Sequence, residues 1–203
     1  MARNPVHTRD RSTADLLYEL AEGQAGYLTA HQAVTAGIPR STLGYHAGEG
    51  ETLERVGSRI YRLRRFPTTP HGHIVAGWLG LAPADAVVSH ASALEMLELS
   101  DVIADEVHVT LPRAKRGLRI PAGVCAHFTT RQIDRSQRTR VLGVPVTSVE
   151  RTLGDQLRAA GWTEQIDLAV QQAMRRGLTS RARLETAFPE TWQRRLAAAL
   201  DEV

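Results

Sequence analysis

Arg40-Ser41-Thr42, with Tyr45 one turn further on, is a run of side chains able to read or grip a nucleic acid. A guanidinium presents a planar fork of donors that matches two guanine acceptors or two phosphate oxygens, and hydroxyls bond bases or phosphate alike. Downstream, Arg55, Arg59, Arg62, Arg64 and Arg65 crowd one short stretch. Closely spaced cations of this kind suit phosphate contacts or a narrow minor groove. The same arginines would also serve as a solvated edge that blocks strand pairing, and Ser41 or Thr42 would equally cap a helix.

Other reactive residues lack partners in the sequence. His71 and His73 offer two imidazoles, but side chains two apart on a helix point in different directions, and no cysteine or carboxylate adjoins them. Ser89 reads as a helix cap and its neighbour His90 as structural or interfacial. Cys125 alternates with Val124 and Ala126 and reads as an inert thiol, buried or at the surface. Lys115 stands in a basic run without a carboxylate beside it, so nuclease chemistry is not expected. No phosphate loop, nucleophile elbow or zinc-protease motif occurs. The expectation is therefore no catalytic residue, no metal ligand and no cofactor. The basic stretches 113–119 and 131–140 read equally as solvated loops or as a functional surface.

Composition sets the frame. Of 203 residues, 42% are hydrophobic and 23% charged, which is globular rather than disordered. Cys125, the single cysteine, can close no internal disulfide, and the polar start over Met1–Arg11 shows no leader, so a cytoplasmic protein without a membrane span is expected. The net charge is +3, and one lysine among 25 basic residues leaves arginine to supply nearly all the positive charge. A GC-rich coding sequence accounts for that bias as well as function does, so only the placement of the arginines carries information.

The elements that must position these residues follow from periodicity. Ser12 or Thr13 caps a helix with an apolar stripe of Leu16, Leu17 and Leu20, which ends at Gly23 and Gly26. Thr29 caps a second helix to Ala36, and Gly37-Ile38-Pro39 turns the chain into a third, from about Arg40 to Ala47. Two β-prone runs, Thr52–Val56 and Arg59–Leu63, flank a two-residue turn at Gly57-Ser58. Helix, helix, tight turn, helix and hairpin is the order of a winged helix-turn-helix. In that arrangement Ile38, Leu43 and His46 face a small core of Leu16, Leu20 and Leu28, leaving Arg40, Ser41, Thr42 and Tyr45 outward to meet base edges.

A Pro/Thr-rich segment, 64–70, marks a boundary. Beyond it come a helix from His71 to Leu81 stopped by Pro83, a short strand Ala86–Val88 and a helix Ser89–Leu97. Half-buried strands follow at 107–111 and 124–128, with a third run at 141–146. A capping box at Thr147–Glu150 opens a helical remainder with breaks near Ala160, Gly177 and Trp192. The expected fold class is α+β: an N-terminal winged helix-turn-helix over 12–66, then a mixed α/β C-terminal domain ending in helices over 71–203.

With these motifs in order, the chain resembles the AbiEi family of antitoxins. The resemblance is carried by Gly26-Tyr27-Leu28-Thr29 with Ala33, by Gly37 to Leu43, and by Leu53 to Leu63. It continues through Val88 to Ala93, Val107 to Pro112, Val144 to Thr147 and Glu150 to Leu153, from about Leu16 to Gly177 in all. His46 departs from it, standing where the family usually has an aliphatic residue. The resemblance implies an antitoxin of a type IV toxin-antitoxin system. Its winged domain would bind inverted repeats in double-stranded DNA of its own promoter and repress the operon. Its C-terminal domain would counteract a nucleotidyltransferase-like toxin. The DNA-binding residues expected are Arg40, Ser41, Thr42, Tyr45, Arg55, Arg59 and Arg62. The alternatives are a stand-alone regulator with an effector- or protein-binding C-terminal domain, and an enzyme that modifies the toxin.

Overall fold

The computed structural model describes residues 11–81 and 85–202. Of the expected polar start, residues 1–10 lie outside this range, as does Pro83, the expected helix stop. The chain divides into two compact units, Met1–Thr68 and Thr69–Val203, and its class is α+β.

In the first unit, α1 (Thr13–Glu22) starts at a reciprocal cap: Asp15 N–H donates to Ser12 Oγ, and Ser12 N–H donates to the Asp15 carboxylate. Strand β1 (Tyr27–Thr29) runs into α2 (Ala30–Thr35), where Thr29 and Gln32 repeat the same device. Gly37, at φ +88°, then turns the chain towards α3 (Arg40–Ala47). Strands β2 (Leu53–Gly57) and β3 (Ile60–Leu63) complete an antiparallel three-stranded sheet in the order β1-β3-β2. Leu17, Ala21, Leu28, Ala33, Leu43 and Leu53 are fully buried between helices and sheet.

Two details of this unit differ from the expectation. The core takes the Leu17–Ala21 row of α1, and Leu16 and Leu20, the neighbouring row of the same broad stripe, only rim it. The hairpin turn falls at Ser58-Arg59 rather than Gly57-Ser58, because Val56 is an extra residue: Arg55 pairs with Tyr61, and Gly57 already pairs with Ile60. Arg59 takes the left-handed backbone, φ +67°, that the turn then requires.

In the second unit, α4 (Gly72–Leu79), β4 (Val87–Val88), α5 (His90–Met96), β5 (Val107–Pro112) and β6 (Val124–Thr129) precede a hairpin of β7 (Arg138–Val141) and β8 (Val144–Thr147). The sheet order is β6-β5-β4-β8-β7, with β5–β6 and β4–β8 parallel and the other pairs antiparallel. Strand β5 is an inner strand, buried on both faces at Val109, Thr110 and Leu111, and not half-buried along its length as its alternation suggests. Helices α6 (Val149–Ala160), α7 (Glu164–Arg175), α8 (Arg181–Ala187) and α9 (Gln193–Asp201) follow. Their apolar stripes, including Leu153, Leu157, Ile166, Val170, Leu184 and Leu196, close with Leu94 and Leu99 into one core. Ser148, not a Thr147–Glu150 box, caps α6 by accepting from Arg151 N–H. Glu150 is instead buried, taking a hydrogen bond from the Thr179 hydroxyl and pairing with Arg183 at 3.0 Å. Among the described residues no helix is long and apolar enough to cross a membrane.

Gly26 is where the hairpin exit meets the α1–β1 turn. Its φ is +84°, and a Cβ there would stand 2.6 Å from Cγ of Phe66. At Gly37, with φ +88°, a Cβ would meet nothing within 4 Å. Gly37→Ala should therefore cost only the left-handed backbone penalty, about 1–2 kcal/mol. Gly26→Ala adds a backbone-side clash with a packed ring and should cost about 2–5 kcal/mol. Urea unfolding of the two variants checks this, and equal losses would contradict it.

Candidate nucleic-acid interface

Leu43, fully buried, and Ile38, 2% exposed, fix which way α3 faces. Arg40 and Ser41 consequently lie exposed, Thr42 is half-buried, and the Tyr45 ring is 56% exposed. Pro39 occupies the N-cap position, and no side chain caps the helix. The hydroxyls of Ser41 and Thr42 are thus not spent on capping, and among the described residues neither has a protein hydrogen-bond partner. The first-turn N–H groups beside Arg40 thus receive no side-chain cap. His46 does not join the core: its Nδ1 lies 3.2 Å from Thr52 Oγ1, tying the end of α3 to the approach to β2.

The hairpin arginines divide into two kinds. Arg55 and Arg59 are exposed, and Arg55 makes only a long contact of 3.4 Å to the Gly57 carbonyl. Arg62, expected to face DNA, is instead buried. It is 9% exposed, its guanidinium donates to the Phe66 carbonyl at 2.6 Å and lies 5.8 Å from the Tyr27 ring centre. Arg64 Nε similarly donates to the Leu53 carbonyl at 3.0 Å. Of the residues expected to bind DNA, Arg40, Ser41, Tyr45, Arg55 and Arg59 are exposed and Thr42 is half-buried.

The second unit assembles reactive side chains that look unrelated in the sequence. Ser89 stands at the N-cap position of α5 but caps nothing: its Oγ accepts from Thr110 Oγ1 at 2.8 Å and lies 2.9 Å from His90 Nδ1. His90 has φ +53°, a left-handed conformation that costs a side-chain-bearing residue about 1–2 kcal/mol. Its ring stacks on His127 with centres 3.6 Å apart, and His127 Nε2 lies 2.9 Å from His108 Nδ1 and 3.8 Å from Cys125 Sγ. Burial, then the neighbouring His127, pushes the His90 pKa down to about 4. Burial also lowers His108 and His127, and it raises the Cys125 thiol. The signal available in the sequence was the placement of His108, Cys125 and His127 on two predicted strands. Only the register between those strands, Val107 to Val124 and His108 to Cys125, brings them together.

A carboxylate does join His71 and His73, contrary to the sequence reading. Glu95 on α5 brings Oε1 to 3.7 Å from His71 Nδ1 and 3.5 Å from His73 Nε2. The two basic stretches also share a feature: Arg113, Arg131 and Arg138 line one cleft of about 440 Å³.

No family model and no curated protein matches this sequence. Among solved structures, the crystal structure of the RV2827C protein from Mycobacterium tuberculosis is similar, with a TM-score of 0.53 and 18% identity. The match covers 95% of this chain and 78% of that one, and at this identity the likeness is one of fold alone.

Arg62→Ala should destabilise the first unit by about 1–3 kcal/mol, since it removes a buried charged donor and leaves the part-buried Phe66 carbonyl without it. Arg40→Ala, which removes an exposed side chain, should stay within about 0.5 kcal/mol. Urea midpoints at constant slope separate the two, and an unaltered midpoint for Arg62→Ala would return that residue to the surface set.

Proposed function

We propose that the first unit is a winged helix-turn-helix that binds double-stranded DNA, with α2 and α3 as the helix-turn-helix pair and β2–β3 as the wing. The observation that carries the reading is the outward face of α3. Arg40, Ser41 and Tyr45 are exposed on a helix whose opposite side is anchored by Leu43, and among the described residues the Ser41 and Thr42 hydroxyls have no protein hydrogen-bond partner. Presented to a major groove, Arg40 pairs with guanine and the hydroxyls bond bases or phosphate, while Arg55 and Arg59 neutralise flanking phosphates.

The resemblance to AbiEi antitoxins then supplies the biological role. The protein is read as a cytoplasmic antitoxin of a type IV system. It autorepresses its operon by binding inverted repeats in its promoter, and its second unit counteracts a nucleotidyltransferase-like toxin without itself being an enzyme. A second reading is a stand-alone regulator whose second unit takes an anionic effector. It is favoured by the cleft lined by Arg113, Arg131 and Arg138. Growth rescue on co-expression with a nucleotidyltransferase encoded beside the gene separates the two: rescue supports the antitoxin, and its absence favours the regulator.

DNA binding is tested by titrating the full chain against its own upstream duplex across a salt series. Affinity should fall steeply with salt as phosphate contacts release counterions. Arg40→Ala should lose about 1–3 kcal/mol and sequence preference, whereas Arg59→Ala should lose affinity on all sequences and reduce the salt slope by about 1. Equal affinity for upstream and random duplex in the wild type and both variants would overturn the repressor reading.

A further inference from the structure

Cys125 and His127 are two apart on β6, so both side chains leave the same face of the sheet. On β5, His108 pairs in register with Cys125 and projects beside them. One nitrogen of each imidazole and the thiol sulfur lie within 4.8 Å of one another, all three residues being half-buried. We propose that His108, Cys125 and His127 form a binding site for a zinc(II)-like transition-metal ion, with two imidazole nitrogens and one thiolate as protein ligands.

The distances suit that ion. Bond lengths of about 2.0–2.1 Å to nitrogen and 2.3 Å to sulfur, at tetrahedral angles, put two nitrogen ligands roughly 3.3 Å apart and nitrogen and sulfur roughly 3.6 Å apart. Here His108 Nδ1 and His127 Nε2 are 2.9 Å apart, and His127 Nε2 and Cys125 Sγ are 3.8 Å apart. The third pair, His108 and Cys125, lies within 4.8 Å, so gathering all three around one centre takes shifts of up to about an ångström. The donor set selects against magnesium and calcium, which take oxygen, and for zinc and its softer neighbours. Glu106 and Asp155 are the carboxylates whose field reaches the cluster, and Arg151 is the cation that opposes them at His90.

His90 supports the site without ligating it. Its ring lies face to face on His127, at 16° between planes, and its Nδ1 is engaged with Ser89 Oγ. A bonded network reaching Thr110 thereby holds the His127 ring in place. Three protein ligands leave one tetrahedral position for water or an incoming group, and β6 is an edge strand, which gives the ion a way in. The hydrogen bond between the two imidazoles is lost as both nitrogens turn their lone pairs to the metal. The N–H proton moves to the other nitrogen of its own ring, and the thiol proton leaves to buffer.

The test is a zinc titration of the full chain, first stripped with chelator, against a chromophoric competitor, with cobalt(II) loaded in parallel. The wild type should take up zinc at this site, and the cobalt form should show a thiolate-to-metal charge-transfer band. Cys125→Ser keeps shape and should abolish the band. Either Cys125→Ser or His127→Gln should weaken zinc binding about 100-fold or more, beyond the 10–100-fold typical of outer-shell changes. His31→Ala, on an exposed residue of the first unit, should change neither reading. Circular dichroism of the metal-free variants confirms that they fold, and Cys125→Ser alone suffices if His127→Gln does not. A wild type that binds no zinc, a cobalt form without the band, or full affinity in Cys125→Ser would each overturn the site.

Discussion

The placement of Leu43 is the constraint on which the first unit depends. A unit this small has room for one core, and fully buried Leu43 belongs to it with Leu17, Leu28, Ala33 and Leu53. Burying one side of an eight-residue helix leaves the other side no choice of direction. Arg40 and Tyr45 are therefore exposed as a consequence of packing. The β2–β3 hairpin is fixed by related means. The bulge at Val56 sets the turn, the Gly26–Phe66 approach seats the exit, and Arg62 pins that exit through the Phe66 carbonyl.

The second unit shows the same dependence of chemistry on register. Strands β5 and β6 are parallel neighbours, so their alignment requires a connection that crosses back from one end of the sheet to the other. That alignment sets His108 beside Cys125 and His127, and the left-handed backbone at His90 turns a further ring onto them. Local strain of this sort persists only where the surroundings hold it, here the Ser89 and Thr110 hydroxyls and the stacked His127.

What the sequence disclosed was local. The caps at Ser12 and Thr29, the Gly37-Ile38-Pro39 turn and the start of α3 at Arg40 each depend on residues within one turn of one another, and each is found in the structure. What it withheld was decided by partners distant in the chain. Leu16 and Leu17 belong to one stripe, and only packing against the sheet selects the Leu17 row. Arg62 is indistinguishable by type from Arg55 and Arg59, yet its guanidinium folds onto the Phe66 carbonyl and the Tyr27 ring. Glu150 has the spacing of a capping residue, but Thr179 and Arg183, from the α7–α8 region, claim its carboxylate. The histidine–cysteine cluster was hidden for the same reason: each member is unremarkable on its own strand, and the register that unites them spans the 113–123 connection.

The central proposal is that DNA would meet the exposed face of α3 and the tip of the β2–β3 hairpin. Amide chemical-shift perturbation of the isotopically labelled full chain, on addition of its upstream duplex, tests it residue by residue. The account predicts the largest changes at Arg40, Ser41, Thr42 and Tyr45 and at the Ser58-Arg59 turn, with Arg62 changed little. Perturbations confined to the basic stretches 113–119 and 131–140, with α3 silent, would contradict it.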